Sequence, residues 1–188
     1  FNIMKIKVFF IFSMLFMINI SAQNTVIVGT YTNSEKCDSG GIHIFDFDED
    51  TYEYKLKYQT ENVINPSFVS LSPDKKFLFS VNENGDKSSI TSFSIDESNG
   101  TLTKIDERKT QGEDPCFLIS DEKNVILANY SGGSINVYKR LDDGKLSEVS
   151  QTIKFEGKGF EKERQDKSHI HQVQFSPDQK YVLATDLG

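Results

Sequence analysis

Ser72-Pro73-Asp74-Lys75-Lys76-Phe77-Leu78-Phe79-Ser80-Val81-Asn82 is the stretch that decides the fold. Pro73 presets φ at the first corner of a turn and Asp74 hydrogen-bonds its own backbone, so the opening residues predict a tight reversal between antiparallel strands. The apolar run Phe77 to Asn82 then predicts a strand. The same plan recurs at Ser176-Pro177-Asp178-Gln179-Lys180 before Tyr181-Val182-Leu183-Ala184-Thr185-Asp186. Ser120 stands at the same distance before Val125-Ile126-Leu127-Ala128-Asn129-Tyr130, and Val26-Ile27-Val28-Gly29-Thr30-Tyr31 is a looser fourth copy. The copies start about 50 residues apart, and such a period belongs to repeat architectures.

Working outward from Phe77 to Asn82, the second unit predicts strands over Ser67 to Leu71, Phe77 to Asn82, Ile90 to Ile95 and Leu102 to Thr110. Pro-Asp, Asn84-Gly85-Asp86 and Asn99-Gly100 supply its turns. The third unit repeats this with Phe117 to Ile119, Val125 to Tyr130, Ser134 to Lys139 and Leu146 to Phe155, turning at Gly132-Gly133 and Asp143-Gly144. Helical periodicity is nearly absent. Four-stranded antiparallel units without helices predict an all-β fold, a β-propeller. A Greek-key sandwich or barrel fits less well, because it does not repeat one turn and strand at constant spacing. The first unit lacks its innermost strand and the last shows only Gln172 to Phe175 and Tyr181 to Leu187. Residues 23–188 are therefore expected to be the N-terminal part of a single propeller domain, cut in its fourth blade.

Residues 1–22 read as a leader. Translation is expected to start at Met4; Lys5 and Lys7 make a positive n-region, Val8 to Ile18 is an apolar run, and Ser21-Ala22 provides small residues ahead of a cleavage before Gln23. The run is short for a membrane span, so the expectation is a periplasmic or secreted protein with no stable membrane span after cleavage. Export would put Cys37 and Cys116 where a disulfide persists. They fall in different repeat units, and two free or buried thiols are the default expectation.

Composition narrows the function. Hydrophobic residues make up 37% and charged ones 26%, with 15 Phe, enough apolar material for a packed core. A formal net charge of −7 supplies no basic footprint for phosphate backbones, so nucleic acid is not an expected partner. Asp46-Phe47-Asp48-Glu49-Asp50 lacks the glycine and the bidentate glutamate of a calcium loop. Tyr130-Ser131-Gly132-Gly133-Ser134 has no lysine after it and joins two strands, so it reads as a hairpin turn and not a phosphate cradle. A zinc site would need further His or Cys ligands at suitable spacing, and no metal or cofactor is expected.

Ser168-His169-Ile170-His171-Gln172 carries two of the three histidines. On a strand, residues two apart face one side, so His169 and His171 are expected to share a surface. Counting back from Ser176, His171 falls at the start of the innermost strand, where the other units have Ser67 and Pro115. That position rims the channel of a propeller, and a histidine there suits a general base toward water. A merely solvated rim histidine, or a histidine pair that binds adventitious metal, is the plain alternative. The charged run Lys154 to Lys167 reads as an exposed connection between blades; alternatively it is an arm that brings Arg164 to an anionic substrate.

Six motifs together resemble a known family: Val28-Gly29-Thr30-Tyr31-Thr32; Asn65-Pro66-Ser67-Phe68 before Leu71-Ser72-Pro73-Asp74; Val81-Asn82-Glu83; Asp114-Pro115-Cys116; Ala128-Asn129-Tyr130-Ser131-Gly132-Gly133-Ser134; and His169-Ile170-His171-Gln172-Val173 with Asp186-Leu187-Gly188. They look like the lactonase family of seven-bladed propellers, which includes the propeller-type 6-phosphogluconolactonase and the fungal carboxy-muconate lactonising enzyme. The resemblance implies seven blades, of which about three to three and a half are present. It also implies a metal-free lactonase that hydrolyses a sugar lactone to the aldonic acid in carbohydrate metabolism. His171 matches the acid/base histidine and His169 is second. The family's Arg and Glu partners would lie beyond Gly188, so residues 23–188 alone are expected to be inactive. The other class to weigh is an exported propeller that only binds a protein or glycan, because one fold hosts many functions.

Overall fold

The computed structural model describes residues 24–32 and 40–188. The leader and Cys37 lie outside the described residues, so the cleavage site and the pairing of Cys37 with Cys116 are not read from it; Cys116 is a free thiol.

Each repeat unit is one antiparallel sheet whose strands pair in chain order. Blade 1 holds β1 (Asn24–Val28), β2 (His43–Phe47) and β3 (Tyr54–Gln59). Blade 2 holds β4 (Phe68–Leu71), β5 (Phe77–Asn82), β6 (Ser89–Ile95) and β7 (Leu102–Lys109). Blade 3 holds β8 (Pro115–Ser120), β9 (Asn124–Asn129), β10 (Ser134–Arg140) and β11 (Leu146–Lys154). β12 (Ile170–Phe175) and β13 (Val182–Asp186) form the two-stranded fourth sheet. A single 3-10 turn, Gly85–Lys87, is the one helical element among the described residues. The architecture is all-β, with four-stranded blades as the repeat predicts.

The blades pack face to face, and strand alternation shows it. Phe79 and Val81 of β5 point into a cluster with Leu118, Val125, Leu127 and Tyr138 of blade 3. Leu78, the neighbour before Phe79, points the other way, to Ile42 and Ile44 of blade 1. In β9 the neighbours Ile126 and Ala128 turn toward Ile170 and Val173 of blade 4. A strand buried on both faces must be apolar on both, which is why Phe77-Leu78-Phe79 and Val125-Ile126-Leu127-Ala128 read as continuous runs. The pairings β2–β3, β6–β7 and β10–β11 each carry a bulge, at Ile44/Phe45, Ser92/Phe93 and Val137/Tyr138, adding twist to each outer edge.

The serine turns hold in blades 2 and 4. Ser72 Oγ accepts from Phe77 N–H at 3.0 Å and donates to Asp74; Ser176 Oγ does the same with Tyr181 N–H at 3.1 Å and Asp178. Blade 3 departs from the expectation. There Asp121, not Ser120, opens the turn: Asp121 N–H bonds to Asn124 O at 3.0 Å, as Ser72 N–H bonds to Phe77 O. Its carboxylate caps Lys123 N–H and Asn124 N–H, both at 2.7 Å, and the loop closes two residues sooner. Ser120 Oγ–H instead donates across to Leu71 O of blade 2.

Candidate functional site

The shifted turn changes which residues are equivalent at the rim. Phe68 pairs with Val81 and Phe117 with Ala128, and the residues just before them are Ser67 and Cys116. Gln172 pairs with Thr185, so His171 takes the same place in blade 4. Cys116, and not Pro115, is therefore the counterpart of His171. Beneath this row Phe68 and Phe117 stack with ring centroids 4.2 Å apart.

Two positions further back the chain fastens blade to blade. Asn65 and Asp114 both adopt positive φ, 43° and 51°, ahead of a proline, a conformation that Asn and Asp tolerate better than most residues. Asn65 O accepts Glu83 N–H, while its side chain accepts Thr32 N–H from blade 1 and donates to Glu83 O. Asp114 O accepts Tyr130 N–H, while its carboxylate accepts Gly85 N–H of blade 2 and Ser131 Oγ–H. In blade 4 this clasp position is His169. Its O accepts Leu187 N–H, its Nδ1 lies 3.1 Å from Tyr130 O of blade 3, and its ring stacks on Tyr130 at 4.5 Å.

The two histidines consequently separate. A register shift between Ile170 and Gln172 breaks the simple alternation expected of the His-x-His segment. His169 is 8% exposed and is held at Nε2 by Asp166, 3.2 Å away, whose carboxyl this bond keeps below the usual range. His171 is exposed, with its ring edge-on to Tyr130 at 5.8 Å.

His171 lines a pocket of about 300 Å³ together with Tyr31, Glu83, Cys116, Tyr130 and Arg164. His169 is not among its lining residues. Arg164 arrives from the connection between β11 and β12, as an arm over the rim would bring it. That connection is stiffened locally: Arg164 N–H and Gln165 N–H both bond to Glu161 O, and Gln165 Oε1 accepts Glu161 N–H. The remaining lining residues carry no role from the sequence, although Glu83 and Cys116 sit inside motifs that do. Ser67 donates to the Glu83 carboxylate, and Tyr31 hydrogen-bonds it too. Burial first, and then that bond, push the Tyr31 phenol up to about 12. Cys116 Sγ–H donates to His171 O at 3.4 Å; burial, with the charges of Glu83 and Asp114, pushes its thiol up to about 12. The thiol is thus protonated at neutral pH, a donor to the histidine's backbone and no nucleophile.

The family model described as lactonase, 7-bladed beta-propeller, matches residues 25–188. The chain belongs to that lactonase family. A 6-phosphogluconolactonase of Formosa agariphila is 34% identical over 87% of this chain and 47% of its own length. A solved structure from Bacteroides fragilis is 44% identical with a TM-score of 0.85, covering 90% of this chain and 47% of that one. The periplasmic gluconolactonase of Pseudomonas aeruginosa superposes with a TM-score of 0.79 at 30% identity, over 88% of this chain and 47% of its own. This lactonase-family chain spans about half the length of the curated relatives it matches. Among its described residues, no helix is long and apolar enough to cross a membrane.

Proposed function

We propose that the protein hydrolyses a sugar lactone to its aldonic acid, as an exported member of the lactonase family, with His171 as the acid/base and Arg164 on the substrate's negative charge. The observation that carries this reading is the meeting of His171 and Arg164 in one pocket of a chain whose named relatives are 6-phosphogluconolactonases. In the hydrolysis His171 takes a proton from water as the oxygen adds to the lactone carbonyl. The tetrahedral oxyanion collapses, the bond from carbonyl carbon to ring oxygen breaks, and the proton passes to that ring oxygen, which becomes the free hydroxyl of the acid. The Arg164 guanidinium balances charge that grows on the oxyanion, where a fixed cation is most effective. His169 serves as a positioning residue: it locks Tyr130, against whose ring His171 rests. Lys5, Lys7 and the apolar run of the leader support export, as does the periplasmic Pseudomonas aeruginosa relative.

Replacing His171 by Ala in the whole protein tests the assignment. Removing a general acid/base is expected to slow lactone opening at least about 100-fold, with the melting temperature held. Undiminished turnover overturns the role of His171.

A further inference from the structure

Glu83 is a pocket group to which that hydrolysis gives no part, and its placement is unusually determined. It follows β5 directly, and its backbone is tied on both sides to Asn65: Glu83 N–H donates to Asn65 O at 3.1 Å, and Asn65 Nδ2–H donates to Glu83 O at 2.7 Å. The side chain thus leaves from a fixed point. Two hydroxyls then aim its carboxylate, Ser67 from the start of β4 and Tyr31 from the loop after β1. With its phenol pushed up to about 12, Tyr31 keeps its proton and stays a donor throughout the neutral range.

A carboxylate offers about four lone-pair positions. Two donors leave acceptor capacity on Glu83, in a pocket it shares with His171. The other lining carboxylate, Asp114, fastens blade to blade, with one oxygen on Gly85 N–H and the other on Ser131 Oγ–H. The chemistry that Glu83 takes is that of a donor. Negative charge on a substrate is met by Arg164 of the same lining and repelled by Glu83, whereas ring hydroxyls bring O–H donors that a charged acceptor binds strongly. We propose that Glu83, aimed by Ser67 and Tyr31, is the specificity residue that accepts hydrogen bonds from the ring hydroxyls of an aldonolactone. The proposal rests on the lactonase reading and names the part of the substrate that faces blades 1 and 2.

The experiment compares D-glucono-δ-lactone, which carries ring hydroxyls, with δ-valerolactone, which has none, in the whole protein and in Glu83→Gln. A hydrogen bond to a charged group is lost with the first substrate alone, so kcat/KM for the gluconolactone is expected to fall at least tenfold more than for δ-valerolactone, mostly through KM. Ser67→Ala, which leaves the carboxylate but removes one of its supports, is expected to show the same selectivity at smaller size, and guards against a folding defect in the first variant. Equal losses on both substrates, or none on either, overturn the assignment of Glu83. A wild-type protein that opens neither lactone overturns the lactonase reading as well, so the two failures are distinguishable.

Discussion

Replacing Phe79 by Ala tests whether the blades cohere through side chains that interdigitate between sheets. Phe79 is 0% exposed and sits with Val81 and Ile90 of its own blade against Leu118, Val125, Leu127 and Tyr138 of the next. A buried phenylalanine removes about 150–250 Å² from water; at about 25 cal/mol per Å² that is about 4–6 kcal/mol. Alanine keeps a fraction of this, and the strands on either side are pinned by their ladders, so the cavity cannot close. The expected loss is therefore about 4 kcal/mol, in the range of measured Phe→Ala changes. Urea unfolding with linear extrapolation measures it, and an unchanged slope would place the effect in the folded state. Phe160, 99% exposed in the arm before β12, is the control, and its replacement by Ala should cost under about 0.5 kcal/mol. A Phe79→Ala loss below about 1.5 kcal/mol, or one no larger than the control, would refute face-to-face packing as the source of cohesion.

Two further expectations concern titration. Asp74 is held down to about 2, first by Ser72 Oγ–H and also by Arg140 of blade 3, which lies over the Phe77 ring. Because the folded value is depressed, the stability it lends is present above about 3.8 and disappears as pH falls through about 2. Asp74→Asn should therefore cost a few tenths to about 1 kcal/mol at pH 7 and only a small part of that at pH 2, read by denaturation across that interval; a pH-independent difference would refute it. Cys116, pushed up to about 12 from an ordinary 9.0, carries about a thousandfold less thiolate at pH 8. In a Cys37→Ser background iodoacetamide should label it far more slowly folded than unfolded, and equal rates would contradict its burial.

What the sequence revealed followed from local physics. β5 runs from Phe77 to Asn82 as its turn and apolar run predict, since Ser72 and Asp74 act within their own loop. Blade 3 escaped because Asp121 closes its turn in fewer residues than Ser72 does, so counting from Ser120 slips the register by one. In a strand one residue is a change of face, and so Pro115 stood where Cys116 belongs. His169 and His171 were separated by the shift at Ile170/Gln172, which has no signature in a His-x-His pattern. Glu83 was missed for another reason: its partners Ser67 and Tyr31 come from two different blades, and only the packing of blade 1 against blade 2 brings them together.

The row Ser67, Cys116, His171 has a consequence for how such a protein diversifies. Two residues behind it, Asn65, Asp114 and His169 hold the blades with contacts drawn largely from backbone. In the proposed reading, mechanical duty and chemical duty thus fall on neighbouring but separate residues. Blades 2, 3 and 4 each offer one socket whose occupant changes from hydroxyl to thiol to imidazole while the fastening behind it stays. New substrates can then be reached by refitting sockets one at a time, without renegotiating the wheel that carries them.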